Sequence, residues 1–457
     1  MTATRIVLLL VPVGFVGCGP KNDPPAVATE DPSGAPKFGA PVVPPHEKEP
    51  QLLPPLPVSG TVPPLTDADR AKLDTIQKAG ASVHGPATDG GFTVRVEGGA
   101  DLAIALTNLK GLRCVTELTF ASEKLTDNDL SVLSGFDYLR SFGIHECEQV
   151  TGAGFGVLTK LPRLKAVSLV GPVTDAACVP LGHIKGLEEI ALYQTKITDA
   201  GLKELAALPA LDAINTTATP VTGSAFAAPG WAKLRDLNAT HTPLTDAGLG
   251  AVADLPALEV LTLDGTKVSD AGLKHLGRSK KLRELSCAEA PVTDAGVAAL
   301  GSIETLRVLN LERTAVTGAA FEEFPVPSAL RKLDLADTKF TDANGPHLNR
   351  FTALTNLSLS GCGVSDTGLT ALGKLKKLTN LDLSDTKAGD GSATGAGALP
   401  ELEIVSFKGT LLTDAGLKSA AQGARLRFLY ARGSKVTKRG VIAAGKFARE
   451  GAQIVAE

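Results

Sequence analysis

Residues Leu258–Leu276 read LEVLTLDGTKVSDAGLKHL. The pattern returns, with letters changed and spacing kept, as LEEIALYQTKITDAGLKEL (187–205), LRELSCAEAPVTDAGVAAL (282–300) and LRVLNLERTAVTGAAFEEF (306–324). Anchoring each copy on the Thr or Ser before the Asp gives Thr126, Thr151, Thr174, Thr198, Thr222, Thr245, Ser269, Thr293, Thr317, Thr341, Ser365, the degenerate Gly389, Thr413 and Thr437. The first five spacings are 25, 23, 24, 24 and 23, and every later one is 24. A period this regular over fourteen copies signals a repeat array.

Each copy contains two periodicities. Leucines eight and six residues before the anchor, as in Leu261/Leu263, Leu309/Leu311 and Leu333/Leu335, alternate as one face of a short strand does. A third apolar column stands one residue before the anchor, as Val268, Val292, Val316 and Phe340. The anchor is a good N-cap, the following Asp suits a helix N-terminus, and AGLxxL supplies a short helical return with its own inward leucines. The Gly of this return allows close approach to backbone. One unit cannot cover its own apolar face, so units must stack. Strands stack at ~4.8 Å and helical segments need ~10 Å, so the helical side is the longer arc. Fourteen strands then line a concave arc of roughly 65 Å.

These columns resemble the leucine-rich-repeat family, in particular its cysteine-containing type, LxxLxLxxC…ITDxGLxxL. The resemblance implies an α/β right-handed solenoid, a curved horseshoe with a parallel sheet on the concave face and short helices on the convex face. At the strand exit, where that type carries Cys, this chain has Thr195, Thr219, Thr242, Thr266, Thr314, Thr338, Thr386 and Thr410, with Cys at Cys362. These predict a ladder of buried hydroxyls bonded to loop backbone. The type is known from F-box proteins, but no F-box precedes the repeats, and a ubiquitin-ligase role is not implied.

Five segments follow from this reading. Residues 1–17 form a signal peptide, with basic Arg5 and an apolar run Ile6–Val16 too short to span a bilayer. Phe15-Val16-Gly17-Cys18 resembles the lipobox of bacterial lipoproteins, which implies acylation of Cys18 after cleavage. Phe15 replaces the usual Leu, and Gly19 is not the Asp that marks inner-membrane retention, so the leaflet stays open. Residues 18–64 form a tether: 19–64 hold fourteen of the 29 prolines, which blocks regular structure and gives a reach of up to ~140 Å at ~3.1 Å per residue. PPLPxxGxxPP within it is alternatively a ligand for a proline-reading domain. Residues 65–111 form an N-terminal cap, with a helix capped by Thr66 and a degenerate repeat. Residues 112–448 hold the repeats, and 449–457 close the array. Arg425, Arg427, Arg432, Lys435, Lys438, Arg439, Lys446 and Arg449 make that end basic, either a solvated cap that protects an edge or a contact for anionic polymer or lipid headgroups.

The chemistry is sparse. Net charge is −3 over 457 residues, which gives no global reason to bind nucleic acid or anionic membrane. Six cysteines form no CxxC pair. His145-Glu146-Cys147-Glu148 carries metal-friendly side chains in the one 25-residue repeat, but alternate loop residues rarely converge on one ion, and a bulge that absorbs the extra residue is the plainer reading. The Gly-rich stretch 389–399 has no Lys and neither phosphate-binding pattern. Trp231, Cys287 and Cys362 fall in core columns. No nucleophile–base pair and no cofactor are suggested.

Function is therefore expected on the concave face. Its outward columns include Asn310, Asp334, Asp382 and Tyr430, and beside them Glu312 and Arg432. These six are the expected partner-binding residues, and Asp334→Ala with Asp382→Ala is expected to leave folding intact. The expectation is a non-catalytic protein–protein interaction module, lipid-anchored at the bacterial cell envelope, facing either the periplasm or the cell surface. Cell-wall or glycan binding is one alternative; an accessory subunit of an envelope enzyme is the other. The shortage of aromatics, 4 % of residues, argues against sugar stacking.

Overall fold

A computed structural model describes residues 62–326 and 328–456. Cys18, the signal stretch and nearly all of the proline-rich segment lie outside them. The described chain is one open sheet of seventeen strands. Strands β1 (Ser82–His84) and β2 (Phe92–Glu97) pair antiparallel. From β2 onward each strand pairs parallel with the next, through β3 (Val115–Ala121) to β16 (Phe428–Tyr430) and β17 (Gln453–Val455). The strands β3 to β16 are fourteen, one for each anchor.

The register explains the columns. Leu261, Leu285, Leu309, Leu333, Leu357 and Leu381 are direct neighbours across successive strands. All are buried, with the Leu263, Leu311 and Val292 columns, in one continuous core. A strand in the middle of the array is only three residues long because a 24-residue unit must also turn, return and turn again.

The strand exit holds the expected hydroxyl ladder. Thr219, Thr242, Thr266, Thr314, Thr338, Thr386 and Thr410 are buried, and each donates to the carbonyl three residues back, as Thr314 Oγ1 to Leu311 O at 2.6 Å. Thr195 is the exception, its buried hydroxyl lacking a protein partner among the described residues. Cys362 Sγ donates to Leu335 O at 3.0 Å. Cys147, not expected in this ladder, fills the same place: its Sγ lies 3.5 Å from Phe120 O. The extra residue of the 25-residue spacing had hidden it. One residue before the Thr, the backbone turns left-handed at Gln194, Ala218, His241, Arg313, Asp337 and Asp385, and it does so at Glu289, where Ala290 takes the place of the Thr. Each such N–H donates to a carbonyl of the following repeat, as Asp337 N to Ser360 O at 2.7 Å, which holds in place a conformation that non-glycine residues avoid.

The Asp of the motif does something the sequence reading assigned to the helix dipole. It reaches forward to the next repeat. Asp246 accepts from Ser269 N at 2.7 Å and from Ser269 Oγ at 2.6 Å. Ser269 Oγ in turn accepts from Ala271 N at 3.3 Å, capping its own turn. The anchor must donate back to the preceding repeat and accept locally through one atom, which a hydroxyl does and a carboxylate does not. The Gly completes the fit: a β-carbon at Gly272 would lie 2.4 Å from Asp246 Oδ1. The same clamp is made by Asp127, Asp175, Asp199, Asp270, Asp294, Asp342, Asp390 and Asp414, while Asp366, facing Gly389, takes its hydroxyl from Ser392 instead.

Three repeats replace the Asp by Gly, at Gly152, Gly223 and Gly318, all with positive φ. There the preceding Asp takes extra donors. Asp294 accepts from Thr317 N and Oγ1, Gly318 N and Ala320 N at 2.7–3.1 Å. Forward of these repeats the Thr carbonyl takes over, accepting Thr174 N, Thr245 N and Asn344 Nδ2 respectively. Burial alone would raise the Asp294 pKa, but the Thr317 hydroxyl and the amides of Ala320, Thr317 and Gly318 hold it below the ordinary carboxylate value. Asp127, Asp199, Asp342 and Asp366 behave alike.

At the N-terminal end a helix, α1 (Asp67–Lys78), is closed by a Thr66/Asp69 capping box. Asp89, in the loop before β2, pairs with Arg140 at 2.5 Å and ties this cap to the repeats.

The clamp sets a stability test. Asp294→Ala leaves four donors without their acceptor and is expected to destabilise the array by roughly 2–4 kcal/mol. Gly272→Ala, which drives a methyl into Asp246, is expected to cost roughly 1–3 kcal/mol. Equilibrium denaturation checks both. Since the Asp294 carboxylate has a lowered pKa in the fold, its contribution is present above the ordinary carboxylate pKa and is lost as pH falls through the folded value. The Asp294→Ala deficit should therefore shrink in acid.

Candidate functional site

The concave face is the sheet's inner surface, where side chains from adjacent strands stand ~4.8 Å apart and lean together. That spacing decides which of the expected residues meet solvent. Asn310 is only 1 % exposed, and Asp334, Asp382 and Tyr430 are buried as well. The expectation of an open strip is corrected for these four. Glu312 is half-buried and Arg432 is exposed.

The buried column has a backbone task. Asn310 Oδ1 accepts from Glu312 N at 2.9 Å, and Asn310 Nδ2 donates to Ser286 Oγ at 3.1 Å. Asp334 Oδ1 accepts from Ala336 N at 2.9 Å. Asp382 Oδ1 accepts from Ser384 N at 2.9 Å and from Ser384 Oγ at 2.5 Å. Asn215 and Asn238 do the same for Thr217 N and Thr240 N. An Asn or Asp that binds the amide two residues on is an Asx-type turn. Here it pairs an N–H just past the end of each strand. Polar composition signalled this column, but solvation and turn pairing demand the same residue types.

The exposed chemistry lies in the flanking rows. The left-handed residues Gln194, His241, Glu289, Arg313, Asp337 and Asp385 project from the strand-exit rim and are exposed. Arg313 meets Glu289 at 2.9 Å, Glu312 at 3.5 Å and Asp337 at 3.6 Å. On the opposite rim Arg235 bridges Glu259 at 2.8 Å and Asp212 at 3.9 Å. At the basic end, Lys408 Nζ lies 5.1 Å from the centroid of the Tyr430 ring, which stacks with Phe428.

Midway along the face, Glu189, Asp236, Asn215 and Asn238 line a shallow depression with Ile190, Ala213 and Ile214. Burial first, then the charges of Asp236, Asp212 and Glu188, push the Glu189 pKa up to about 7. Nothing in the sequence marked it, because its neighbours come from other repeats. His145 is the opposite case. Burial and nearby Arg95 push it down to about 4, and its Nε2 contacts Ser168 Oγ at 3.1 Å.

His145 faces the sheet surface while Cys147 Sγ turns into the core, so the His-Glu-Cys-Glu stretch does not converge. Among the described residues no three His, Cys, Asp or Glu side chains are placed to hold a metal ion. Burial raises the thiol pKa of Cys114 to about 11 and of Cys178 to about 12, and Cys287 and Cys362 are also raised. The 389–399 stretch forms a return helix, Asp390–Gly397. Trp231 is buried, its Nε1 donating to Ala225 O at 3.1 Å.

Two substitutions test this description. Asp382→Ala strips a buried amide and hydroxyl of their acceptor and should destabilise by roughly 1–3 kcal/mol, whereas Asp382→Asn keeps the acceptor and should melt near the native temperature. The earlier expectation that Asp382→Ala is harmless is withdrawn on this geometry. Glu189→Gln tests the raised pKa. An acid whose pKa is higher in the fold loses stability as pH rises from its unfolded value, 4.5, to about 7. The Gln form should therefore melt higher than native at pH 8, with the advantage disappearing towards pH 4.5.

Comparison with known proteins places the architecture. The sequence pattern of the family described as Leucine Rich repeat matches residues 352–373. No curated protein matches the chain in sequence. Among solved structures, an internalin of Listeria monocytogenes is similar with a TM-score of 0.50 at 19 % identity, over 65 % of this chain and 87 % of its own. A leucine-rich-repeat protein of Leptospira interrogans is similar with a TM-score of 0.52 at 15 % identity, over 78 % of this chain and 98 % of its own. At such identities the likeness is one of fold. Period, columns and parallel sheet agree with it: the chain has the leucine-rich-repeat fold.

Proposed function

We propose that the chain is a non-catalytic protein-binding module, held at the bacterial cell envelope by a lipid on Cys18. The observation that carries the binding role is the division of labour on the inner face. Core leucines, exit threonines and the Asn/Asp column are committed to the fold. The rim row changes charge and size from repeat to repeat while the backbone beneath it stays fixed: Gln194, His241, Glu289, Arg313, Asp337, Asp385. A fixed frame that carries variable exposed side chains suits recognition of another macromolecule. With aromatics scarce among exposed positions, binding strength would come from charged rim pairs such as Arg313 with Glu289 and Glu312. The anchor reading rests on the sequence around Cys18.

Envelope extract passed over the immobilised full chain, with Glu312→Lys/Arg313→Glu/Arg432→Glu as control, tests the module. A protein retained by the native chain and lost by the control is the expected result. Equal retention by both overturns the inner-face reading, and retention of glycan alone replaces the protein partner by cell wall. Growth with a labelled fatty acid tests the anchor separately: label should enter the native chain and be absent from Cys18→Ser.

A further inference from the structure

The last repeat presents a surface unlike those before it. Its return helix, Lys438–Gly445, buries Gly440 and Ala444. On its outer side Ile442 is 70 % exposed, and just beyond the helix Phe447 is 47 % exposed. Ile442 stands five residues after the anchor, the position of Lys274, Thr370, Thr394 and Lys418 in earlier repeats. Phe447 occupies the column of Leu375 and Leu399, which are buried. Lys438, Arg439 and Lys446 fall within one helical turn of Ile442 along the chain, with Arg449 following, and all four are exposed. Lys418 Nζ lies 4.2 Å from the centre of the Phe447 ring. Residues 404–456 carry ten Lys and Arg against two carboxylates, Asp414 and Glu450, and two of the ten, Arg425 and Arg427, pair with Glu401 and Glu403 just before that stretch. Asp414 is already engaged by Thr437 N and Oγ1.

We infer that this end of the solenoid docks on an anionic phospholipid surface. Ile442 and Phe447 enter the headgroup boundary, and Lys438, Arg439, Lys446 and Arg449 pair with lipid phosphates. Charge complementarity selects a polyanion, and the apolar pair among the cations selects lipid. A soluble phosphate polymer offers nothing to an exposed Ile, whereas a bilayer interface takes up apolar side chains and basic side chains together. The inference does not depend on acylation of Cys18. It adds a second contact, at the opposite end of the array from any N-terminal anchor.

The test is co-sedimentation of the full chain carrying Cys18→Ser, so that no acyl group contributes, with vesicles of phosphatidylcholine alone or mixed with phosphatidylglycerol. The apolar run Ile6–Val16 is common to all variants, so differences between them report the terminal surface. Binding should be stronger to the mixed vesicles by about tenfold or more, and should return to the neutral-vesicle level in Lys438→Glu/Arg439→Glu/Lys446→Glu. Ile442→Ser/Phe447→Ser should also lose it with all cations in place. Native-like melting of both variants, whose changed side chains are exposed, shows that folding is intact. Equal binding to both vesicles overturns the inference. So does an Ile442→Ser/Phe447→Ser form that binds as well as native; full competition by polyphosphate alongside that result would mark a general polyanion site.

Discussion

One carboxylate holds this architecture in step. The Asp of each motif is covalently part of one repeat and hydrogen-bonded into the next, where it receives both the amide and the hydroxyl of the following Thr or Ser. Strand pairing alone leaves the convex side free to splay, because helical returns have no backbone ladder between them. The clamp supplies one there. It also explains the other letters: the anchor needs an atom that donates and accepts, and the residue two after the Asp must lack a side chain so that the previous carboxylate fits. A motif that looks like helix-capping grammar within one unit is a joint between two.

The joint and the strand-exit ladder together leave little of the repeat uncommitted. The inner strand column pairs amides past the strand ends, the threonines pair carbonyls, and the leucines fill the core. What varies freely is the rim, where left-handed residues project, and the two ends. The exposed variation of this protein lies along its edges, and its inner surface is closer to a second, polar core than to an open palm.

The fold was legible because its signals are additive: every strand, return and core column repeats, so fourteen weak statements agree. Thr66 as a cap, the threonine ladder and the buried Trp231 were legible for the same local reasons. The candidate site was not. Asn310, Asp334, Asp382 and Tyr430 stand outside the leucine columns, as surface residues do, yet the curvature of the sheet encloses them. Exposure on a concave face depends on the distance between neighbouring strands, which no single repeat encodes. Cys147 was missed because one inserted residue shifted it out of column. Glu189 was missed because the burial that raises its pKa, and the Asp236 and Asp212 charges that add to it, depend on neighbouring units. Each failure has the same origin: the property belongs to pairs of repeats and the sequence was read one repeat at a time.

The joint has a further consequence, for length. An Asp that looks forward and a hydroxyl that looks back make each interface the same wherever the chain is cut. Removing the 24 residues from Asp270 to Thr293 would leave Asp246 clamped to Ser269 and set Asp294 directly after that Ser, still clamped to Thr317. Duplication and loss of whole units therefore change the span of the molecule without asking for any new contact, and only the glycine variants at Gly152, Gly223 and Gly318 require a matched neighbour. Size in this protein is a counting variable, open to adjustment by recombination at its equivalent joints, with each unit adding its own interface to the stability of the whole.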